Sequence, residues 1–70
     1  MSELDTGLPS IRLVQSYIKN QQTLEVKLST NEVLVGKLRW QDPHCLCLVD
    51  ESEQAILIWR QALISLQMKV

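Results

Sequence analysis

The alternation of apolar and polar residues predicts one short helix followed by five strands. Between about residues 10 and 19, apolar residues recur at helical spacing with polar residues opposite them: Ile11, Val14, Tyr17 and Ile18. Pro9 precedes this stripe, where a first helical turn tolerates proline because its missing N–H would have no partner there. A helix this short does not persist alone in water, so we expect its stripe to pack on the sheet. The residues before it predict an acidic leader, residues 1–7.

After the helix the period changes to that of strands, from about residue 23 to residue 67. Leu24, Val26 and Leu28 alternate with polar residues, which predicts a half-buried first strand. Thr30-Asn31 then predicts a two-residue turn, because asparagine accepts positive φ.

The second and third strands meet at Gln41-Asp42-Pro43, where we expect Asp42 to cap the turn through its own backbone. Gly36 lies inside the second strand and indicates a bend or a close backbone approach. Strict alternation predicts one face of the second strand to carry Leu34, Gly36, Leu38 and Trp40. In the third strand it predicts that His44, Leu46 and Leu48 lie opposite Cys45, Cys47 and Val49. The two tryptophans, Trp40 and Trp59, fit packing in the barrel or at an interface better than base stacking.

The last third is apolar at almost every position, in residues 55–59 and 62–66. A strand that is apolar on both faces needs cover on both faces, which one small domain cannot supply. Either the exposed edge aggregates, or another subunit pairs with it. We favour subunit pairing and expect the contact to involve Ile56, Leu57, Ile58, Leu63 and Ile64.

Composition adds limits to this picture. Seventy residues form a single domain, residues 1–70, with little core, so we expect oligomerisation to supply stability. The net charge of −1 argues against strong non-specific nucleic-acid binding but leaves room for a local basic patch.

The cysteines indicate neither a disulfide nor a metal site. Cys45 and Cys47 lie two apart in one strand, about 6.5–7 Å between Cα atoms, which is too far to bridge. His44 and Cys45 point to opposite faces, so we expect no metal and no cofactor, and the thiols act as small buried hydrophobes. No signal peptide or membrane span is apparent, and we expect a cytoplasmic protein.

Two stretches carry a family resemblance: Val33-Leu34-Val35-Gly36-Lys37-Leu38 with Asp42, and Ile58-Trp59-Arg60-Gln61-Ala62-Leu63. Over about residues 9–66 the chain resembles the Hfq-type Sm-like (LSm) RNA chaperones. The resemblance implies a mostly β fold, a short N-terminal α-helix followed by a five-stranded, strongly bent antiparallel Sm-like (SH3-like) barrel. It also implies a homohexameric ring in which strand four of one subunit pairs with strand five of the next.

The resemblance further implies three RNA-binding surfaces, and the chain departs from the family pattern on each. On the proximal (pore) face the matching residues are His44, Arg60 and Gln61, where the family has an aromatic residue and a Lys-His pair. On the distal face they are Lys27, Asn31, Val33 and Val35, where it has a tyrosine, a turn glycine and polar side chains. On the rim they are Arg12 and Lys19. Arg60 is either an RNA contact or a surface arginine, and His44 either stacks on a base or ends a strand at an interface.

Two functions fit this sequence, and neither is enzymatic because no catalytic constellation is present. The first is an RNA-binding post-transcriptional regulator whose pore face takes single-stranded, U-rich RNA, with small regulatory RNA and mRNA as partners. The alternative is a ring-shaped protein-interaction platform with weak or vestigial RNA binding and a protein partner on one ring face.

Overall fold

The computed structural model describes residues 7–69 and begins with the predicted helix, α1, at Pro9–Lys19. Proline stands in its first turn, as expected, and the helix begins one residue earlier than the sequence pattern suggested. Asn20 closes it by donating its backbone N–H to the Ser16 carbonyl oxygen at 2.9 Å. All but the last residue of the predicted leader lies outside the described residues.

Five antiparallel strands follow the helix. They are β1 (Thr23–Leu28), β2 (Val33–Gln41), β3 (Cys45–Val49), β4 (Ala55–Trp59) and β5 (Leu63–Met68). A single 3₁₀ turn, η1 (Arg60–Ala62), joins the last two. The order across the sheet is β4-β3-β2-β1-β5, which confirms the predicted helix-plus-five-strand fold. It also places β4 and β5, neighbours in sequence, at opposite edges of the sheet.

The core lies between α1 and one face of the sheet. Its buried members come from all strands except β5: Leu24, Val26, Leu38, Leu46, Leu48 and Ile58. Val14, Tyr17 and Ile18 pack against this cluster from α1, which confirms that the helical stripe covers the sheet. Cys45 and Cys47 are both buried on the other face of β3, as small hydrophobes would be.

Gly36 permits the close approach that its position predicts. A Cβ atom built there would overlap the carbonyl oxygen of Val49 and lie 3.1 Å from the Leu48 side chain. The obstacle is backbone, which cannot move aside as a flexible side chain does. No side chain therefore fits at this point between β2 and β3.

The turn between β1 and β2 is longer than predicted. Four residues separate the strands, and Asn31 donates its backbone N–H to the Leu28 carbonyl oxygen at 2.9 Å. Asn31 does adopt positive φ, at 69°. The two-residue turn was wrong because Glu32, whose carbonyl oxygen accepts the Leu28 N–H, still belongs to the loop.

Trp40 does not lie on the face that strict alternation predicted. The pairing of β2 with β3 shifts register between Leu38 and Trp40, so that Leu38 faces Leu48 and Trp40 faces Cys47. The extra residue reverses the alternation, and the indole is 42% exposed. A bulge of this kind leaves no mark in the apolar pattern of the sequence.

The five residues expected at the subunit contact divide into two groups. Leu57 and Ile64 are 53% and 58% exposed on the two edge strands, so they are open to a neighbour. Ile56 and Leu63 are half-buried and pack against the core. Ile58 departs from the expectation, because its side chain is only 4% exposed and belongs to the core of its own chain.

We predict that Gly36→Ala destabilises the fold, because the new methyl group overlaps the backbone of β3. Overpacking of this kind costs about 1–3 kcal/mol. Thermal unfolding followed by circular dichroism, at fixed protein concentration, measures the loss. Lys37→Ala, an exposed position next in β2, is the matched control. A melting temperature of Gly36→Ala equal to that of Lys37→Ala would contradict the close contact assigned to Gly36.

Candidate nucleic-acid interface

The turn between β2 and β3 is organised by the Asp42 carboxylate. One oxygen, Oδ1, accepts the backbone N–H groups of His44 at 2.9 Å and Cys45 at 2.6 Å. The Asp42 N–H donates in return to the Cys45 carbonyl oxygen at 2.9 Å. This confirms the predicted cap and fixes the backbone on which the imidazole of His44 is presented.

These contacts also set the acidity of Asp42. The hydrogen bond from His44 N–H, followed by that from Cys45 N–H, lowers the pKa of the carboxyl below its ordinary value of 3.8, against a smaller opposing effect of burial. The charges of His44 and Arg60 act in the same direction. The ionised carboxylate of Asp42 therefore stabilises the turn. Burial, with Asp42 nearby, raises the pKa of the Cys45 thiol.

Arg60, which follows β4, is hydrogen-bonded to the residues of this turn. Its backbone N–H donates to the His44 carbonyl oxygen at 2.8 Å. Its side chain donates from Nε to the Asp42 carbonyl oxygen at 2.9 Å and from Nη2 to Oε1 of Gln41 at 2.6 Å. The guanidinium thus has a fixed position at the corner between β4 and β5, and is not a freely moving surface cation.

The remaining polar side chains of the predicted pore set are open to solvent. His44 and Gln61 are both exposed, and neither side chain has a hydrogen-bond partner within residues 7–69. Trp59, which precedes Arg60, is 54% exposed and pairs across the strands with Cys45. The structure therefore brings Arg60 and His44 together at one corner, with Gln61 directly following in η1.

The residues predicted for the distal face lie together on the β1–β2 hairpin. Lys27 and Val33 form a cross-strand pair, and Val33 is 55% exposed. Val35 is half-buried and pairs with Glu25, while Asn31 stands in the connecting turn. The four predicted distal residues thus supply one cation and no aromatic ring.

The two predicted rim residues are both exposed on α1. Arg12 and Lys19 lie seven residues apart, which is two helical turns or about 10 Å along the axis. That spacing places both cations on the same side of the helix, but not in contact with each other.

Three comparisons with known proteins bear on this site. The family model described as Hfq related matches residues 8–68. The chain belongs to the Hfq-related family. An Hfq protein from Anabaena sp. is 44% identical, with 89% of this chain and 98% of that one covered and a TM-score of 0.81.

A second solved structure, that of a pleiotropic translational regulator named Hfq, is only 15% identical over 84% of this chain and 97% of that one. Its TM-score of 0.80 shows that the Sm-like fold is shared. The curated protein sequences give no match. The resemblance drawn from the two motifs is confirmed.

Membership of the Hfq-related family makes the chain an RNA-binding regulator of the Sm-like type, and the family consists of RNA chaperones, not enzymes. No group of His, Cys, Asp or Glu side chains in residues 7–69 is arranged to hold a metal ion. No helix in that part of the chain is long and apolar enough to cross a membrane.

The sequence did not indicate the hydrogen bonds of two residues near Arg60, namely Gln41 and Gln15. Gln41 ends β2, and its Nε2 donates to Oε1 of Gln15 at 2.8 Å and to the Ile11 carbonyl oxygen at 3.3 Å. The amide of Gln41 thereby connects α1 to Arg60. Strict alternation assigns the residues at the end of β2 to the wrong faces of the strand, because the register shifts before Trp40. A single glutamine also belongs to no recognisable sequence motif.

We predict that Asp42→Asn lowers the melting temperature at neutral pH, because a neutral amide oxygen is a weaker acceptor for the two N–H groups. A depressed pKa in the folded state contributes stability above the unfolded-state value and loses it as pH falls through the folded value. The melting temperatures of variant and parent should therefore converge below about pH 4.

Glu51→Gln provides the control, since Glu51 is an exposed carboxylate of the β3–β4 loop. The melting temperature of Glu51→Gln at neutral pH should match that of the parent. A constant difference between Asp42→Asn and the parent from pH 7 to pH 2.5 would contradict the assigned role of the charge.

Proposed function

We propose that this Hfq-related chain acts in the cytoplasm as a post-transcriptional regulator. It binds single-stranded, U-rich RNA at the pore face of a homohexameric ring. The observation that carries the proposal is the guanidinium of Arg60, held at the β4–β5 corner beside His44 and Gln61. Small regulatory RNA and mRNA are the corresponding partners.

Arg60 retains donors for a ligand after its contacts within the chain are made. A guanidinium has five N–H donors, and two are used by Asp42 and Gln41, so three remain. These suit phosphate oxygens and the carbonyl oxygens of a base. Six copies around a pore would concentrate this charge where the chain as a whole has a net charge of only −1.

His44 and Gln61 supply what the arginine lacks. The imidazole of His44 is exposed and offers a flat surface on which an unstacked base packs. The exposed Gln61 amide offers one acceptor and two donors. The edge of uracil alternates acceptor, donor and acceptor, which matches an amide together with a guanidinium.

The open sheet edges support ring assembly. β4 and β5 each lack a strand partner on one side within the described chain, and exposed edges recruit strands from other chains. Because the two edges differ, pairing of β4 with the β5 of a neighbour is head-to-tail and closes into a ring when the rotation permits. Leu57 and Ile64 are the exposed apolar residues that such pairing would cover.

Weak to moderate affinity follows from the other two surfaces. The predicted distal residues of the β1–β2 hairpin, Lys27, Asn31, Val33 and Val35, include no ring for stacking, which is worth about 1–3 kcal/mol per base. The rim has only the two separated cations Arg12 and Lys19. RNA binding therefore depends on the pore face.

A second function, the protein-interaction platform, is favoured by the character of that hairpin surface. Val33 is 55% exposed beside Val35 and Glu25, a combination suited to a protein contact rather than to a phosphate backbone. Fluorescence anisotropy with oligo-U and oligo-A at stated salt separates the two functions. Sub-micromolar binding of oligo-U supports the RNA regulator, and the absence of binding to both favours the platform.

We predict that Arg60→Ala weakens oligo-U binding and reduces its salt dependence, because one phosphate contact per occupied subunit is lost. The slope of log K against log salt should fall by about 0.7 for each contact removed from a single strand. Arg39→Ala, which removes an exposed arginine of β2 outside the corner, is the control. Unchanged affinity and slope in Arg60→Ala would exclude the assigned site.

We predict that Leu57→Asp breaks the ring, because it places an unpaired charge in the strand contact. Leu57 is 53% exposed in the single chain, so the substitution spares the core, whereas a charge at Ile58 would disrupt the core itself. Leu13→Asp is the matched control, since Leu13 on α1 has the same exposed fraction, 53%. Light scattering that still reports an intact ring for Leu57→Asp would contradict the interface.

A further inference from the structure

The amide of Gln41 uses both of its ends in contacts that run from α1 to the β4–β5 corner. Its oxygen accepts from Nη2 of Arg60 at 2.6 Å, and its nitrogen donates to Oε1 of Gln15 at 2.8 Å. The nitrogen also donates to the Ile11 carbonyl oxygen at 3.3 Å. Three elements of the fold meet at this one side chain.

The orientation of this amide is determined by its neighbours. The guanidinium of Arg60 has only donors, so the oxygen of Gln41 must face it. The Ile11 carbonyl oxygen is only an acceptor, so the nitrogen of Gln41 must face α1. The two requirements agree, and a flipped amide would lose both contacts.

The hydrogen bonds hold Arg60 without joining it to a carboxylate. The two acceptors of its side chain are neutral oxygens, one from the Gln41 amide and one from the Asp42 carbonyl group. A carboxylate at residue 41 would form an ion pair with the guanidinium and neutralise it. Glutamine therefore restricts the rotamers of Arg60 while leaving its positive charge available to a ligand.

We propose that Gln41 is a positioning residue of the RNA site, which orients the free N–H donors of Arg60, and that Gln15 orients Gln41 in turn. The inference rests on the proposed function, in which Arg60 contacts RNA. It adds that α1 takes part in RNA binding through this chain of hydrogen bonds, without touching the ligand.

A double-mutant cycle tests the proposal on the full chain in its assembled form, with oligo-U as the probe. Gln41→Leu removes all three hydrogen bonds of the amide at similar volume and should weaken binding about tenfold, the effect of losing a hydrogen bond to a charged group. The salt slope should remain that of the parent, because the charge of Arg60 is retained. In the Arg60→Ala background, Gln41→Leu should have no further effect.

Gln41→Glu gives a contrasting readout. An ion pair with Arg60 should weaken binding and also reduce the salt slope towards that of Arg60→Ala. The leucine variant keeps the charge of Arg60 and the parent slope, so the two variants separate loss of position from loss of charge. Gln54→Leu, at an exposed glutamine of the β3–β4 loop, is the control and should bind like the parent.

Gln15→Ala decides the question if Gln41→Leu fails to fold. Gln15 is exposed on α1, so its removal spares the core and leaves Gln41 with one of its two acceptors. We expect binding about two- to threefold weaker, again only when Arg60 is present, as for the loss of one ordinary hydrogen bond. Additive effects in the Arg60→Ala background would overturn the positioning role.

The outcomes separate this inference from the proposed function. If Arg60→Ala itself leaves oligo-U binding unchanged, the RNA site is wrong. If Arg60→Ala weakens binding but the Gln41 and Gln15 variants bind like the parent, the RNA site stands and the positioning role alone is excluded.

Discussion

The close backbone contact between Gly36 and Val49 is the constraint on which the rest of the sheet depends. β2 pairs with β1 through residues 33–37 and with β3 through residues 37–41, so the strand changes neighbours beside this glycine. A side chain at residue 36 would push β2 away from Val49 of β3. Without a side chain there, one continuous strand pairs closely with β1 along its first half and with β3 along its second half.

This arrangement separates β4 from β5 although only three residues join them. Within residues 7–69, β4 pairs only with β3 and β5 pairs only with β1. The corner that carries Arg60 is thus the point at which the two free edges diverge. In the proposed ring, the same short segment serves assembly and RNA binding, so the geometry of the pore site depends on how neighbouring subunits meet.

The sequence predicted the helix, the five strands, the glycine contact and the Asp42 cap, because each depends on local periodicity or on one residue type. It did not predict the exposure of Trp40 or the role of Gln41. Both follow from a register shift in β2, which depends on pairing with β3 and not on the residues themselves. The burial of Ile58 was missed for a related reason: a continuous apolar run hides which face of β4 the core covers.

The hydrogen bonds of Arg60 suit the proposed RNA site to a chain with little net charge. Electrostatic attraction to phosphates is weak when acidic and basic residues nearly balance, so local geometry has to contribute more. A guanidinium that is already held by neutral oxygens loses little conformational freedom on binding, which favours affinity without added charge. The fixed direction of its remaining donors also limits the ligand geometries that it accepts. At the proposed site, this arrangement would favour selectivity among RNA ligands over tight binding to any RNA.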